Sequence, residues 1–140
     1  MTRRSPLAEA ISVGVLNADS SALELICQHL RKVGYQTTSN AFQLTEKYMK
    51  RLSRVDVFVL FCKDDFEQVV DFCMKARRYF PKAATLVVGE RIEKKNLRLL
   101  EQYGIDSVLQ QPITWSELTI EIQNLSSIKI FEDLIFENDR

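Results

Sequence analysis

The sequence predicts an α/β fold, a three-layer sandwich in which a five-stranded parallel sheet lies between two layers of helices. Three observations carry this. Val55–Phe61 has six apolar residues out of seven and closes on the polar Lys63, Asp64 and Asp65, the pattern of a strand buried on both faces. Shorter β-rich runs lie before and after it, separated by segments with apolar residues at i, i+3 and i+4 spacing. The punctuation residues Gly34, Pro81, Gly104 and Pro112 close these segments. Strand alternating with helix requires right-handed crossovers, and hence a parallel sheet with helices on both faces.

Met1 to about Ala10 reads as a tail, residues 11–125 as the domain, and 126–140 as a C-terminal extension. The first strand is Ile11–Leu16. Ser21 and Glu24 have the capping-box spacing that opens a helix, with Leu23, Ile26, Cys27 and Leu30 as its inner stripe and Gly34 as its stop. Tyr35–Thr38 is a short second strand. Asn40 and Gln43 repeat the capping spacing before a second helix with Leu44, Tyr48, Met49 and Leu52 inward. After the central strand, Asp64 or Asp65 suits the positive end of a third helix, whose stripe is Val69, Phe72, Cys73, Ala76 and Phe80.

Thr85–Val88, closed by Gly89, is the fourth strand. Ile92–Tyr103 is the fourth helix, with Leu97, Leu100 and Tyr103 inward and Lys94, Lys95 and Arg98 outward. Ser107–Leu109 is the fifth strand, ended by Gln110-Gln111-Pro112. Thr114 and Glu117 form a third capping box ahead of Leu118, Ile122 and Leu125 on a fifth helix. The extension carries Ile128, Ile130, Phe131, Leu134, Ile135 and Phe136, too apolar for a solvated linker. It reads either as a prolongation of the fifth helix, serving as connector or dimer element, or as an extra element packed back on the domain.

Composition sets bounds on function. Lys plus Arg and Asp plus Glu number 19 each, so net charge gives no argument for nucleic acid or an anionic membrane as the main partner. Cys27, Cys62 and Cys73 lack metal-ligand spacing, and their odd number favours a reducing, cytoplasmic setting. No apolar run is long enough to span a membrane, and residues 5–10 make no signal-peptide core. The glycines fall singly, with no phosphate-cradling loop.

Gly34-Tyr35 after the first helix, the Val55–Phe61 strand, and the run Tyr103-Gly104-Ile105-Asp106-Ser107-Val108-Leu109-Gln110-Gln111-Pro112 together resemble the response-regulator receiver domain. The corresponding stretches of that family read Gly-Tyr or Gly-Phe, Asp-Leu-Val-Leu-Leu-Asp, and Ala-Gly-Ala-Asp-Asp-Phe-Leu-Leu-Lys-Pro. The likeness runs from about Ser12 to Leu125 without a gap. It implies the flavodoxin-like strand order 2-1-3-4-5, with Pro112 as the family's proline, often cis.

The resemblance also marks what is missing. Receivers transfer a phosphoryl group using acids that hold Mg²⁺, an aspartate nucleophile, a Ser or Thr, and a lysine, all at strand ends. The matching positions here read Asn17 and Ala18, Phe61, Gly89 and Gln111. Phe61 offers no nucleophile and Gln111 no charge. Val108 stands where the family has its switching aromatic, and Lys63-Asp64-Asp65-Phe66 replaces the Met-Pro-x-x-Asp-Gly loop. A degenerate receiver, or pseudo-receiver, follows: the fold kept, the chemistry given up.

Each sharper reading has a plainer one beside it. Asp19, Asp64, Asp65 and Glu90 fall near one sheet edge, where they suit a rebuilt cation site or helix capping and solvent. Cys62 suits an oxidant sensor or an inert small hydrophobe; Cys27 and Cys73 read as core. His29, without a nearby partner in sequence, reads as a surface residue. Lys94, Arg98, Tyr103 and Trp115 make a candidate partner surface, with a Trp folded over its own helix as the plainer alternative. The expectation is a non-enzymatic, phosphorylation-independent regulatory module of bacterial signalling or transcription control. It is expected to be cytoplasmic and to need no cofactor. It would bind a protein partner or output domain, pair as a homodimer, and touch neither nucleic acid nor membrane. The alternative is an atypical receiver that still holds a cation or small ligand in the altered pocket.

Overall fold

A computed structural model describes residues 11–16, 20–40, 54–63 and 66–138, with the side chains of 20, 21, 39, 40 and 128–138 excepted. Its elements in order are β1 (Ser12–Leu16), α1 (Ser20–Val33), β2 (Gln36–Asn40), β3 (Val57–Cys62), α2 (Phe66–Tyr79), β4 (Ala84–Gly89), α3 (Lys94–Gln102), β5 (Ser107–Gln110) and α4 (Trp115–Asn138). All pairings are parallel and the sheet order is β2-β1-β3-β4-β5, the order expected. Four helices are described; the expected helix between Leu44 and Leu52 lies outside the described residues.

Period-two alternation along β3 divides the core. Val57 and Val59 join α1 (Ile26, Cys27, Leu30) and α4 (Leu118, Ile122, Leu125) on one face. Phe58, Leu60 and Cys62 join α2 (Val69, Phe72, Cys73, Ala76) and Leu100 of α3 on the other. Phe58 contacts Phe72 and Phe80 edge-on, at centroid distances of 5.2 and 5.6 Å. Gly14, opposite Phe58 in register, makes room for that ring: a Cβ there would lie 3.1 Å from Phe58 Cδ1.

The helix ends follow the local rules. Gly34 takes φ 111°, and the Gly34 and Tyr35 N–H groups donate to the Arg31 and Leu30 carbonyls, a Schellman ending. Gly104 (φ 80°) repeats it at the end of α3. At α4 the Thr114 hydroxyl accepts the Glu117 N–H at 3.1 Å and lies 3.2 Å from the Glu117 carboxylate.

Two aspartates staple the sheet at the amino ends of its strands. Asp56 donates its N–H to the Ser12 carbonyl and accepts the Ser12 N–H on its carboxylate, both at 2.8 Å. Asp106 does the same to Thr85, at 3.1 and 2.8 Å. Ser12 and Thr85 are buried, so these bonds satisfy donors that water does not reach.

Several expected boundaries shift. α1 starts at Ser20, which puts Ser21 inside its first turn, and Glu24 accepts from Gln28 Nε2 at 3.4 Å. Tyr35 closes the α1 ending, so β2 starts at Gln36 and runs through Asn40, which pairs with Leu16; the helix that Asn40 is expected to cap lies outside the described residues. α3 begins only at Lys94, leaving Ile92 in the loop after β4. α4 continues through Asn138, the prolongation that is one of the two readings of the extension.

Candidate functional site

The carboxyl ends of β3, β4 and β5 form one rim. Phe61 pairs with Val88, Cys62 with Gly89, and Gly89 with Gln110. The Gln111 N–H donates to the Gly89 carbonyl at 2.7 Å. The peptide bond between Gln111 and Pro112 is cis. The structure thus brings Phe61, Gly89 and Gln111 together; Asn17 and Ala18, expected beside them, lie outside the described residues.

Apolar groups occupy this rim. Phe61 follows the parity of Val57 and Val59, so its ring turns to the α1/α4 face and packs half-buried against that core. Ile92 lies over Gly89: a Cβ on the glycine would stand 2.8 Å from Ile92 Cγ1 and 2.9 Å from Cδ1. The space a Ser or Thr side chain would need is therefore filled by hydrocarbon. Gln111 is exposed, an uncharged amide that cannot stabilise a departing phosphoryl oxygen as a fixed cation does.

What remains is an open cleft of about 770 Å³, lined among others by Leu25, Phe61, Ile92, Gln111, Trp115 and Leu118. Lys63, Glu90 and Arg91 also border it. Asp19, Asp64 and Asp65, the other acids of the conceivable cation site, lie outside the described residues. Among the described residues no group of three His, Cys, Asp or Glu side chains converges to hold a metal.

Cys62 and Cys73 belong to the same core cluster, at 7% and 1% exposure. The Cys62 thiol donates to the Lys63 carbonyl over 3.7 Å. Burial, with the neighbouring Cys62 adding to it, pushes the Cys73 thiol up to about 12; such a group is a core hydrophobe and not a nucleophile.

The predicted partner surface divides in two. Lys94 and Arg98 are exposed on α3. Tyr103 precedes β5 and its carbonyl accepts from Arg77 Nη1 at 3.1 Å. Trp115 follows β5, so the two aromatics flank opposite ends of that strand. Trp115 turns toward α1, stacking on His29 at 5.1 Å with planes 28° apart while staying 45% exposed. His29 Nε2 also lies 3.0 Å from the Thr119 hydroxyl, so the histidine read as partnerless couples α1 to α4. Sequence reasoning missed Ile92 and His29 as site residues. The His29 contacts join distant segments, while Ile92 reaches back over Gly89 from three residues on; no local spacing announces either.

No protein-family profile matches the sequence, and no curated protein matches it either. Solved structures do. A CheY-like response-regulator receiver domain from Methanospirillum hungatei aligns over 87% of this chain and 98% of its own, at 17% identity and a TM-score of 0.77. The signal receiver domain of a LuxO repressor protein described as putative, from Vibrio parahaemolyticus, aligns over 89% and 96%, at 18% identity and TM-score 0.73. A Thermotoga maritima response regulator described as an OmpR/PhoB homolog aligns over 85% of this chain but 54% of its own, at 14% identity and TM-score 0.67. The chain has the receiver fold.

Proposed function

We propose that this receiver-fold chain is a phosphorylation-independent regulatory module of a bacterial signalling or transcription pathway, working by protein–protein contact and not by catalysis. The observation that carries the reading is the filled rim. Phe61 replaces the nucleophile, Gln111 the cation, and Ile92 sits where the hydroxyl side chain would stand. In-line phosphoryl transfer needs a nucleophile, a metal cage and positive charge together. With these lost, the fold keeps only its surfaces, and a homodimer and a protein partner or output domain are the occupants we assign to them. The alignment with just over half of a longer response regulator supports a domain that works beside others. No helix among the described residues is long and apolar enough to cross a membrane.

The test is direct. Incubation with acetyl phosphate and Mg²⁺ leaves the intact mass unchanged under this reading. A phosphoryl adduct, stable or acid-labile, overturns it.

One observation favours a second reading, a small ligand held at the altered pocket: the cleft's volume of about 770 Å³ falls in the range of ligand sites. Thermal-shift screening separates the two, because a ligand that binds only the folded state raises the melting temperature by mass action.

A further inference from the structure

The cleft at the carboxyl rim has two unlike walls. On the α1/α4 side stand Leu25, Phe61 and Trp115. Leu25 is 56% and Trp115 45% exposed, so large apolar side chains meet water in one place, which marks a binding surface more than scattered ones do. On the side of α3 the lining is polar, with Arg91 and Asn96, and Gln111 follows at the end of β5. Arg91 is exposed and forms no ion pair among the described residues. The Asn96 amide is half-buried and, like that of Gln111, offers both donors and an acceptor.

Charge at the cleft favours an anion of low charge. Ala22, Phe66, Asn96 and Trp115 line it from the first turns of α1, α2, α3 and α4. The positive ends of these helix dipoles therefore meet at one rim. Among the described residues Lys63 and Arg91 border the cleft as cations and Glu90 as an acid, two positive charges against one negative. A carboxylate matches that surplus and suits the guanidinium fork, which can give it two parallel hydrogen bonds. A phosphate ester would bring a second negative charge toward Glu90, with no glycine-rich loop to receive it.

The apolar wall suits a flat ring, which can stack or pack edge-on against Phe61 and Trp115. The stack of Trp115 on His29 already holds the indole, so binding has less ordering to supply. A volume of about 770 Å³ admits a ring system with a short polar arm. We propose that the cleft binds an aromatic carboxylate, its ring against Phe61 and Trp115 and its carboxylate on Arg91. The inference rests on the small-ligand reading above and names the class of that ligand.

2-Naphthoate is the probe, followed in the full chain by the indole N–H resonance, because Trp115 is the only tryptophan. It is expected to shift that resonance saturably. Naphthalene-2-carboxamide, of the same shape without the charge, should bind at least tenfold more weakly, and 2-naphthyl phosphate no more tightly than 2-naphthoate. Arg91→Gln should weaken 2-naphthoate at least tenfold and leave the carboxamide unchanged. Arg98→Gln, off the cleft, should alter neither. A carboxamide that binds as well, a phosphate that binds better, or an Arg91→Gln chain with undiminished affinity overturns the carboxylate class. If 2-naphthoate leaves the resonance unmoved while another compound of the thermal-shift screen stabilises the chain, the class falls and the small-ligand reading stands. If no compound stabilises the chain and no probe moves the resonance, both fall together.

Discussion

Ile92 covers Gly89 so closely that the glycine has no room for a side chain: its Cγ1 would stand 2.8 Å from an added Cβ. The two residues fill the Gly89 position with hydrocarbon, beside the cleft that Ile92 and Gln111 also line. A strand-end glycine and a loop isoleucine do together what neither does alone.

Returning a hydroxyl side chain to this position is therefore expected to destabilise the fold. Gly89→Thr should cost about 1–3 kcal/mol by overpacking, read from urea unfolding. Trimming the obstacle in Gly89→Thr/Ile92→Ala should recover part of that loss. If Gly89→Thr alone is neutral, Ile92 moves aside freely and the filling of the Gly89 position is disproved.

The clamp between Asp106 and Thr85 gives a second expectation. Asp106→Ala leaves the buried Thr85 N–H without its carboxylate acceptor, at about 1–3 kcal/mol. Asp106→Asn keeps one acceptor oxygen and should lose less. Equal losses in both variants would point to charge, not hydrogen bonding, as the cause.

Cys73 predicts an alkaline weakness. Its folded pKa is pushed up from 9.0 to about 12, by burial first and then by Cys62. Above pH 9 the unfolded chain releases this proton while the folded chain keeps it. Stability from this thiol is therefore complete below 9 and declines as pH rises toward 12. Unfolding curves at about pH 8, 9.5 and 10.5 should show a shallower decline in Cys73→Ala than in wild type, whatever the cavity costs at the lowest pH. Parallel slopes would refute the assignment.

The stack of His29 on Trp115 should appear as coupling between α1 and α4. A double-mutant cycle with His29→Ala and Trp115→Ala is expected to give an interaction of about 0.5–1.5 kcal/mol, the range of aromatic pairs. Additive losses would mean that the rings touch without supporting each other.

The sequence by itself determined the architecture, because the signals for it are local and periodic. The apolar run at Val55–Phe61, the stripes of α1, α2 and α4, and the endings at Gly34 and Gly104 each depend on neighbours a few residues away. It also showed which charged and nucleophilic groups are missing at Phe61, Gly89 and Gln111, since residue identity needs no coordinates. Tertiary structure alone decided what fills those positions and which surfaces meet. His29 on Trp115 is a contact between separate segments, fixed by how the helices lie on the sheet, and Ile92 on Gly89 depends on how the loop after β4 turns back over the strand end. The boundaries moved for the same reason: a Schellman hydrogen bond took Tyr35 from β2, and the approach of Ile92 to Gly89 accompanies its place in the loop ahead of α3. Periodicity fixes which way a side chain faces, but only the folded chain decides what stands opposite it.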